Sequence, residues 1–334
     1  MGIESSCDEC SVALVEDGKS ILSNIIASQI DIHRPYNGVV PELASRTHTE
    51  WISGTVRKAM EKAGVGFEEI GGIAVTNRPG LVGALLVGLS YAKGLAFSTG
   101  KPFIGVDHIK AHLYAPMLEN DIEYPFLGLL VSGGHTIICK VTGFDEIEVM
   151  GTTIDDACGE AFDKVAKFYD LGYPGGVIID RLSRDGDADA FRFPDASLHK
   201  GEHRYDVSYS GLKTAVINQI DQFIVDGKEK SVENIVASFQ KSAIDMLLKR
   251  LNKAVADTGI TRIVAGGGVA ANSYLRSSVG RHSDWEIYFP SLNLCTDNGA
   301  MIAGIGYHYL SRGITDSYAV TASARVKSFK KQYP

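Results

Sequence analysis

Phe126-Leu127-Gly128-Leu129-Leu130-Val131, then Ser132-Gly133-Gly134-His135, then Thr136-Ile137-Ile138-Cys139-Lys140-Val141 reads as an apolar strand, a polar glycine turn and a second strand. The chain opens the same way. Gly2-Ile3-Glu4-Ser5 leads into the polar turn Cys7-Asp8-Glu9-Cys10, and Ser11–Val15 returns as a strand, with Ile21–Asn24 extending the meander. Each copy heads a domain-sized segment. A pattern repeated on that scale predicts a duplicated α/β architecture, and 334 residues suit two domains of about 100–200 residues each.

Strand, glycine turn and helix recur further out. Gly72–Thr76 is followed by Asn77-Arg78-Pro79-Gly80 and an apolar helix from Leu81 to Phe97. Ile263–Ala265 is followed by Gly266-Gly267-Gly268 and Asn272. A turn of this kind aims backbone amides at a phosphate or carboxylate. Ser132 with the amides of Gly133 and Gly134 makes a small anion cradle, although a plain hairpin turn has the same composition. Three successive glycines are hard to explain by packing. They suit a base or ribose lying flat on the backbone, with Asn272 placed to hydrogen-bond, yet they lack the spacing of a dinucleotide fingerprint. The Leu81–Phe97 run carries Lys93 and several glycines and falls short of the roughly 20 residues of a bilayer span. It reads as a buried helix. An amphipathic helix after Pro41 precedes it, with Gly64 as its stop.

The strand Phe103-Ile104-Gly105-Val106 runs into Asp107-His108-Ile109-Lys110-Ala111-His112. Histidines four apart project from one helix face, about 5–6 Å from each other at Cβ. That suits two ligands on one metal ion, and equally a helix with two polar, partly exposed histidines. Asp297, at the start of a small-residue helix, is either its cap or a third ligand. Two histidines and one carboxylate form a metal site with open positions.

Thr153 opens a helix on which Asp156, Glu160 and Asp163 share a face. Tyr173-Pro174-Gly175-Gly176 is another glycine turn, Asp180 follows in a short helix, and the polar stretch from Arg184 to Tyr205 reads as an exposed loop. The formal charge of −7 excludes a chain that coats nucleic acid with its whole surface, leaving the tail from Arg325 through Lys327, Lys330 and Lys331 as a local basic patch. Five cysteines, with Cys7 and Cys10 as a lone CxxC, fit free thiols in a reducing cytoplasm. No basic-then-apolar secretory leader opens the sequence.

Taken together, the motifs resemble those of the tRNA adenosine threonylcarbamoyltransferases, the TsaD family. They run through nearly the whole chain: GIESSCDE at 2–9, GVVPELASRTH at 38–48, TNRPGLVGALLVGLSYAKGLA at 76–96, VDHIKAH at 106–112, LLVSGGHT at 129–136, DDACGEAFDKVAK at 155–167, YPGG at 173–176, SYSGLKTAV at 208–216, VAGGGVAAN at 264–272 and CTDNGAMIA at 295–303. The resemblance implies an actin/Hsp70-like fold of two duplicated α/β lobes with a ligand cleft between them. The expected first lobe, the partner-binding one, is residues 1–106 plus about 305–334. The second, 107–304, is expected to carry most of the substrate and metal site. The implied reaction moves threonylcarbamoyl from threonylcarbamoyl-AMP to N6 of the adenosine next to the anticodon in tRNAs reading ANN codons. His108, His112 and Asp297 match the family's metal ligands, for iron or else zinc. Leu130, Val131, Ser132, Gly133 and Gly134 match its substrate-binding turn, and Asp163, Gly176, Asp180 and Asn272 its remaining substrate contacts. Implied partners are tRNA, a TsaB-like paralogue and a TsaE-like ATPase, with no membrane.

Other readings compete. A zincin has Glu directly after the first histidine, where this chain has Ile109. A sugar-kinase-like or ATPase member of the same fold class needs no metal held by protein histidines. A non-enzymatic scaffold, like the family's degenerate paralogue, has no use for an intact His108, His112 and Asp297. The general base for the N6 proton is not legible, with Glu9 a speculative candidate.

Overall fold

A computed structural model describes residues 1–195, 201–325 and 329. Lys327, Lys330, Lys331 and residues 196–200 of the polar loop lie outside the described residues. The chain divides into two compact units. One is Met1–Asp121 with Pro290–Ser328, and the main segment of the other is Ile122–Phe289.

The first unit holds a five-stranded sheet of β1 (Gly2–Glu4), β2 (Glu9–Glu16), β3 (Ser20–Ser28), β4 (Ile73–Arg78) and β5 (Phe103–Asp107), in the order β3-β2-β1-β4-β5. The meander β1–β2–β3 is antiparallel, and β4 and β5 extend it in parallel. The second unit holds β6 (Phe126–Val131), β7 (Thr136–Gly143), β8 (Glu146–Thr152), β9 (Arg262–Gly266) and β10 (Glu286–Tyr288), in the order β10-β9-β6-β7-β8. Its meander is again antiparallel and its last two strands parallel. Read from the meander end, the two sheets have one topology, as the repeated strand–turn–strand pattern predicts for an actin/Hsp70-like fold.

The parallel strands β4, β5 and β9 are largely buried, as sheets covered by helices require, while the edge strand β10 is half-exposed. Helix Pro41–Ala63 begins with Pro at its first turn and ends at Gly64 in the left-handed conformation (φ 70°). It presses Ile52, Val56 and Ala59 into a core with Ile3, Val12, Leu14, Val75 and Leu89. Each such Ile, Val or Leu side chain contributes about 1.5–3 kcal/mol when taken from water. Helix Gly299–Leu310 lies backbone to backbone on the same sheet. A Cβ on Gly2 would stand 2.3 Å from Ala303 N, and one on Gly299 would stand 2.6 Å from Ala13 N.

That packing corrects the expected lobe boundaries, which fall near residues 121 and 290 rather than 106 and 304. Asp107 ends β5 and caps the next helix, so the histidines stay with the first sheet. Helix Gly299–Leu310 needs the same sheet to cover its small-residue face. The His108, His112, Asp297 group therefore belongs to the first unit, not the second. Two further expectations change. The apolar helix, Val82–Thr99, is buried along Ala84, Leu85, Leu89, Ala92 and Ala96 but exposes Val82, Leu86 and Phe97. It is long and apolar enough to cross a membrane by length and composition, with 33% of that window buried. The acidic helix starts at Cys158, not Thr153. Asp156 precedes it and is met by Lys164 and Lys213, each at 2.6 Å, so the carboxylates do not repel across a bare face.

Candidate active site

His108 and His112 open and close one turn of the helix His108–Tyr114. Its N-cap is Asp107, whose side chain accepts from the amides of Ile109 and Lys110. The Arg78 guanidinium stands 3.6 Å from the other Asp107 oxygen. Asp297 arrives from the far end of the sequence, two residues before helix Gly299–Leu310. That helix is capped by Asn298, which accepts from Met301 N at 3.0 Å. Asp297 is thereby released from capping. Its Oδ1 lies 3.0 Å from His112 Nε2 and 3.5 Å from His108 Nε2.

Two imidazole nitrogens and one carboxylate oxygen thus lie within 4.8 Å of one another, with both histidines buried. The donor set fits a divalent cation of the iron or zinc kind, with further positions open for oxygen ligands. Burial lowers the His112 pKa, helped by the neighbouring His108, so this ring is neutral and ready to ligate. At His108 burial acts the same way but is outweighed by Asp297 and Glu4, which raise its pKa to about 9. Ligation needs that ring deprotonated at Nε2. Below pH 9 metal uptake must expel the proton, so apparent affinity should rise about tenfold per pH unit from pH 6.5 toward 8.5. Chelator-competition titrations across that range check the slope.

Sequence reasoning missed Glu4, which is fully buried and lies 3.0 Å from His108 Nδ1. A glutamate within an apolar central strand was the available signal. Glu9 is half-buried at the start of β2, where burial, Asp8 and Asp297 hold its carboxyl well above the usual range. Cys7 and Cys10 are free thiols that burial keeps protonated, Cys10 at about 11. They form neither a thiolate ligand pair nor a disulfide.

The remaining predicted site residues lie in the second unit and are linked into one belt. Leu130 and Val131 end β6, and Ser132-Gly133-Gly134-His135 turns into β7. Ser132 N donates to His135 O at 2.8 Å, and His135 N donates to Ser132 Oγ at 3.1 Å. Gly159, in the first turn of helix Cys158–Phe168, packs on that turn. On the same helix Asp163 accepts from Gly175 N at 2.8 Å, holding the N-terminus that carries Gly176. Asp180, on that second helix, accepts from Ser273 N at 3.0 Å and Ser273 Oγ at 2.7 Å. The neighbouring Asn272 caps helix Ser273–Val279 through Leu275 N, and its amide donates to Gln240 at 2.7 Å. The glycines around this belt differ. A Cβ on Gly133, Gly134, Gly176 or Gly268 would meet nothing within 4 Å, so backbone is open there. Gly267 corrects the reading that packing does not explain the triple glycine: it has φ +90°, and its Cβ would lie 2.3 Å from Val131 O.

The sequence profile of the family described as TsaD, tRNA N6-adenosine threonylcarbamoyltransferase, matches residues 20–304. The curated tRNA N6-adenosine threonylcarbamoyltransferase of Treponema denticola is 63% identical over 332 residues, spanning 99% of this chain and 98% of that one. Proteins of the same name from Treponema pallidum (strain Nichols) and Borreliella burgdorferi (strain ZS7) are 53% and 52% identical, spanning 94% and 96% of their own lengths and 99% and 100% of this chain. Among solved structures, full-length HypF with bound phosphate and nucleotide superposes with a TM-score of 0.61 at 15% identity, covering 91% of this chain and 45% of HypF. Component A of (R)-2-hydroxyglutaryl-CoA dehydratase from Acidaminococcus fermentans gives 0.55 at 15% identity, covering 93% of this chain and 98% of that one. These structural likenesses bear on the fold alone. With more than half the chain matched by the family profile and full-length relatives above 50% identity, the chain belongs to the TsaD family of tRNA N6-adenosine threonylcarbamoyltransferases.

Proposed function

We propose that this chain transfers the threonylcarbamoyl group of threonylcarbamoyl-AMP to N6 of the adenosine next to the anticodon in tRNAs reading ANN codons. The observation that carries this reading is the 63% identity spanning 99% of the chain, with His108, His112 and Asp297 gathered in one place. In the reaction N6 attacks the carbamoyl carbon. The bond from that carbon to the phosphate oxygen breaks, AMP leaves with the electron pair, and the N6 proton passes to a base. His108, His112 and Asp297 would hold a divalent cation, iron or alternatively zinc, which when bound would supply Lewis-acid polarisation and an orienting template. Glu9 is the candidate acceptor of the N6 proton, since a raised carboxyl pKa suits a base working near neutral pH.

In the second unit, the Ser132–Gly134 backbone, continuing from Leu130 and Val131, is assigned to the phosphate. Asp163 and Asp180 are assigned to the ribose, Asn272 with the Gly266–Gly268 floor to the base, and Gly176 to a further substrate contact. The open space around Gly133 supports this. Gly133→Ala should leave folding stability within about 0.5 kcal/mol. The added methyl should raise KM for the adenylate about tenfold or more, as steady-state kinetics with a varied adenylate concentration would register.

The reading includes a TsaB-like paralogue docking on the first unit and a TsaE-like ATPase, both acting in the cytoplasm. The exposed Val82, Leu86 and Phe97 face supports a docked paralogue, and the net charge of −7 supports sharing the tRNA with partners. Transfer of labelled threonylcarbamoyl from its adenylate to tRNA, with and without those partners, tests the whole reading. Label appearing at N6 supports it. ATP hydrolysis or small-molecule phosphorylation with no tRNA product would replace it with a kinase-like function.

A further inference from the structure

We infer that Glu4 is the positioning residue of the metal site, holding the proton of His108 on Nδ1 so that Nε2 faces Asp297 as a ligand. The inference rests on the reading that His108, His112 and Asp297 hold a cation. Glu4 ends the three-residue β1 at the middle of the first sheet, with no exposed surface. Its neighbours all suit an ionised acceptor. Thr76 Oγ1 donates to Oε2 at 2.6 Å, Ser6 N donates to Oε1 at 2.5 Å, and His108 Nδ1 lies 3.0 Å from Oε2. Ser6 Oγ stands 3.3 Å from the same ring nitrogen. Opposite, His108 Nε2 is 3.5 Å from Asp297 Oδ1.

A ligating imidazole has one lone pair for the cation and one N–H to place. At His108 only a strong acceptor can satisfy the N–H in so buried a spot, and Glu4 is that acceptor. A carboxylate behind a ligating histidine fixes the ring's tautomer and orientation and raises its basicity. Thr76, one strand over on β4, and the Ser6 amide fix the carboxylate in turn. The two ligand histidines are therefore unequal. His112 Nδ1 is buried with no hydrogen-bond partner among the described residues, so only His108 is held from behind.

The test uses the full-length protein stripped of metal, with Zn2+ alone as the probe, in chelator-competition titrations of wild type, Glu4→Gln and Thr76→Val. The expected loss of affinity is about tenfold to a hundredfold for Glu4→Gln, with a smaller loss in the same direction for Thr76→Val. Long-range 15N–1H spectra of the Zn2+-loaded proteins read the tautomer, a signature that mere destabilisation leaves unmoved. Wild type should carry the His108 proton on Nδ1, and Glu4→Gln should lose that single state. Unchanged affinity and tautomer in a folded Glu4→Gln protein would overturn the inference. Should that variant fail to fold, unchanged values in Thr76→Val would overturn it equally. Absence of Zn2+ binding by wild type would instead strike the metal reading itself and take this inference with it.

Discussion

His108→Ala is expected to lose bound metal and to lower threonylcarbamoyl transfer by about a hundredfold to a thousandfold, the effect of deleting one preorganised contact to developing charge. The substitution removes one of three ligand atoms lying within 4.8 Å of one another. It also strips Glu4, which has no exposed surface, of its charged partner. Breaking a buried pair in this way costs about 3–5 kcal/mol, so the variant should melt lower as well as fail to react. His112→Ala separates the two effects. Its ring touches Asp297 on one side and makes no hydrogen bond on the other. It should lose metal and activity alike with a smaller drop in stability. Metal analysis, thermal melts and tRNA transfer on the same preparations decide it. Retention of full activity by His108→Ala would sink the metal-centred reading.

Gly267→Ala is expected to damage the fold to a comparable degree, without touching the histidines. At φ +90° and ψ 163°, a region essentially reserved for glycine, a side chain adds about 1–3 kcal/mol of backbone strain. Its Cβ, 2.3 Å from Val131 O and 3.2 Å from Ser132 Cβ, forces an overpacked contact worth about 1–3 kcal/mol more. Because Val131 and Ser132 begin the turn proposed above to hold the adenylate phosphate, adenylate binding should weaken together with stability. Gly268→Ala, one residue on and facing open space, should change stability by no more than about 0.5 kcal/mol. Denaturant midpoints for the pair measure the contrast directly.

The duplicated topology was legible because strand, polar turn and strand recur in local sequence, where periodicity operates. The histidine pair was legible for the same reason, since four-residue spacing is a local property. Asp297 stayed ambiguous until the structure showed Asn298 doing the capping. A glutamate in an apolar strand marked Glu4 as unusual, but its role was illegible because its partner His108 lies 104 residues away, and no spacing rule connects a strand end to a distant helix. The triple glycine misled in the opposite sense. Composition cannot distinguish Gly267, jammed against Val131, from Gly268, which is open. The lobe boundaries were misplaced because they follow which sheet covers helix Gly299–Leu310, a tertiary choice absent from local pattern.

The first unit is left at Asp121 and re-entered at Pro290. On the ribosome even the second histidine, His112, therefore emerges 185 residues ahead of Asp297. At about 5–20 residues per second this is a delay of about ten to forty seconds. Through that interval the nascent chain presents a two-histidine half-site. The three-residue group is complete only once the main segment of the second unit has been synthesised. If that group holds a cation, its loading is a late event in maturation, and a chain broken off before residue 297 carries the two histidines without the third ligand.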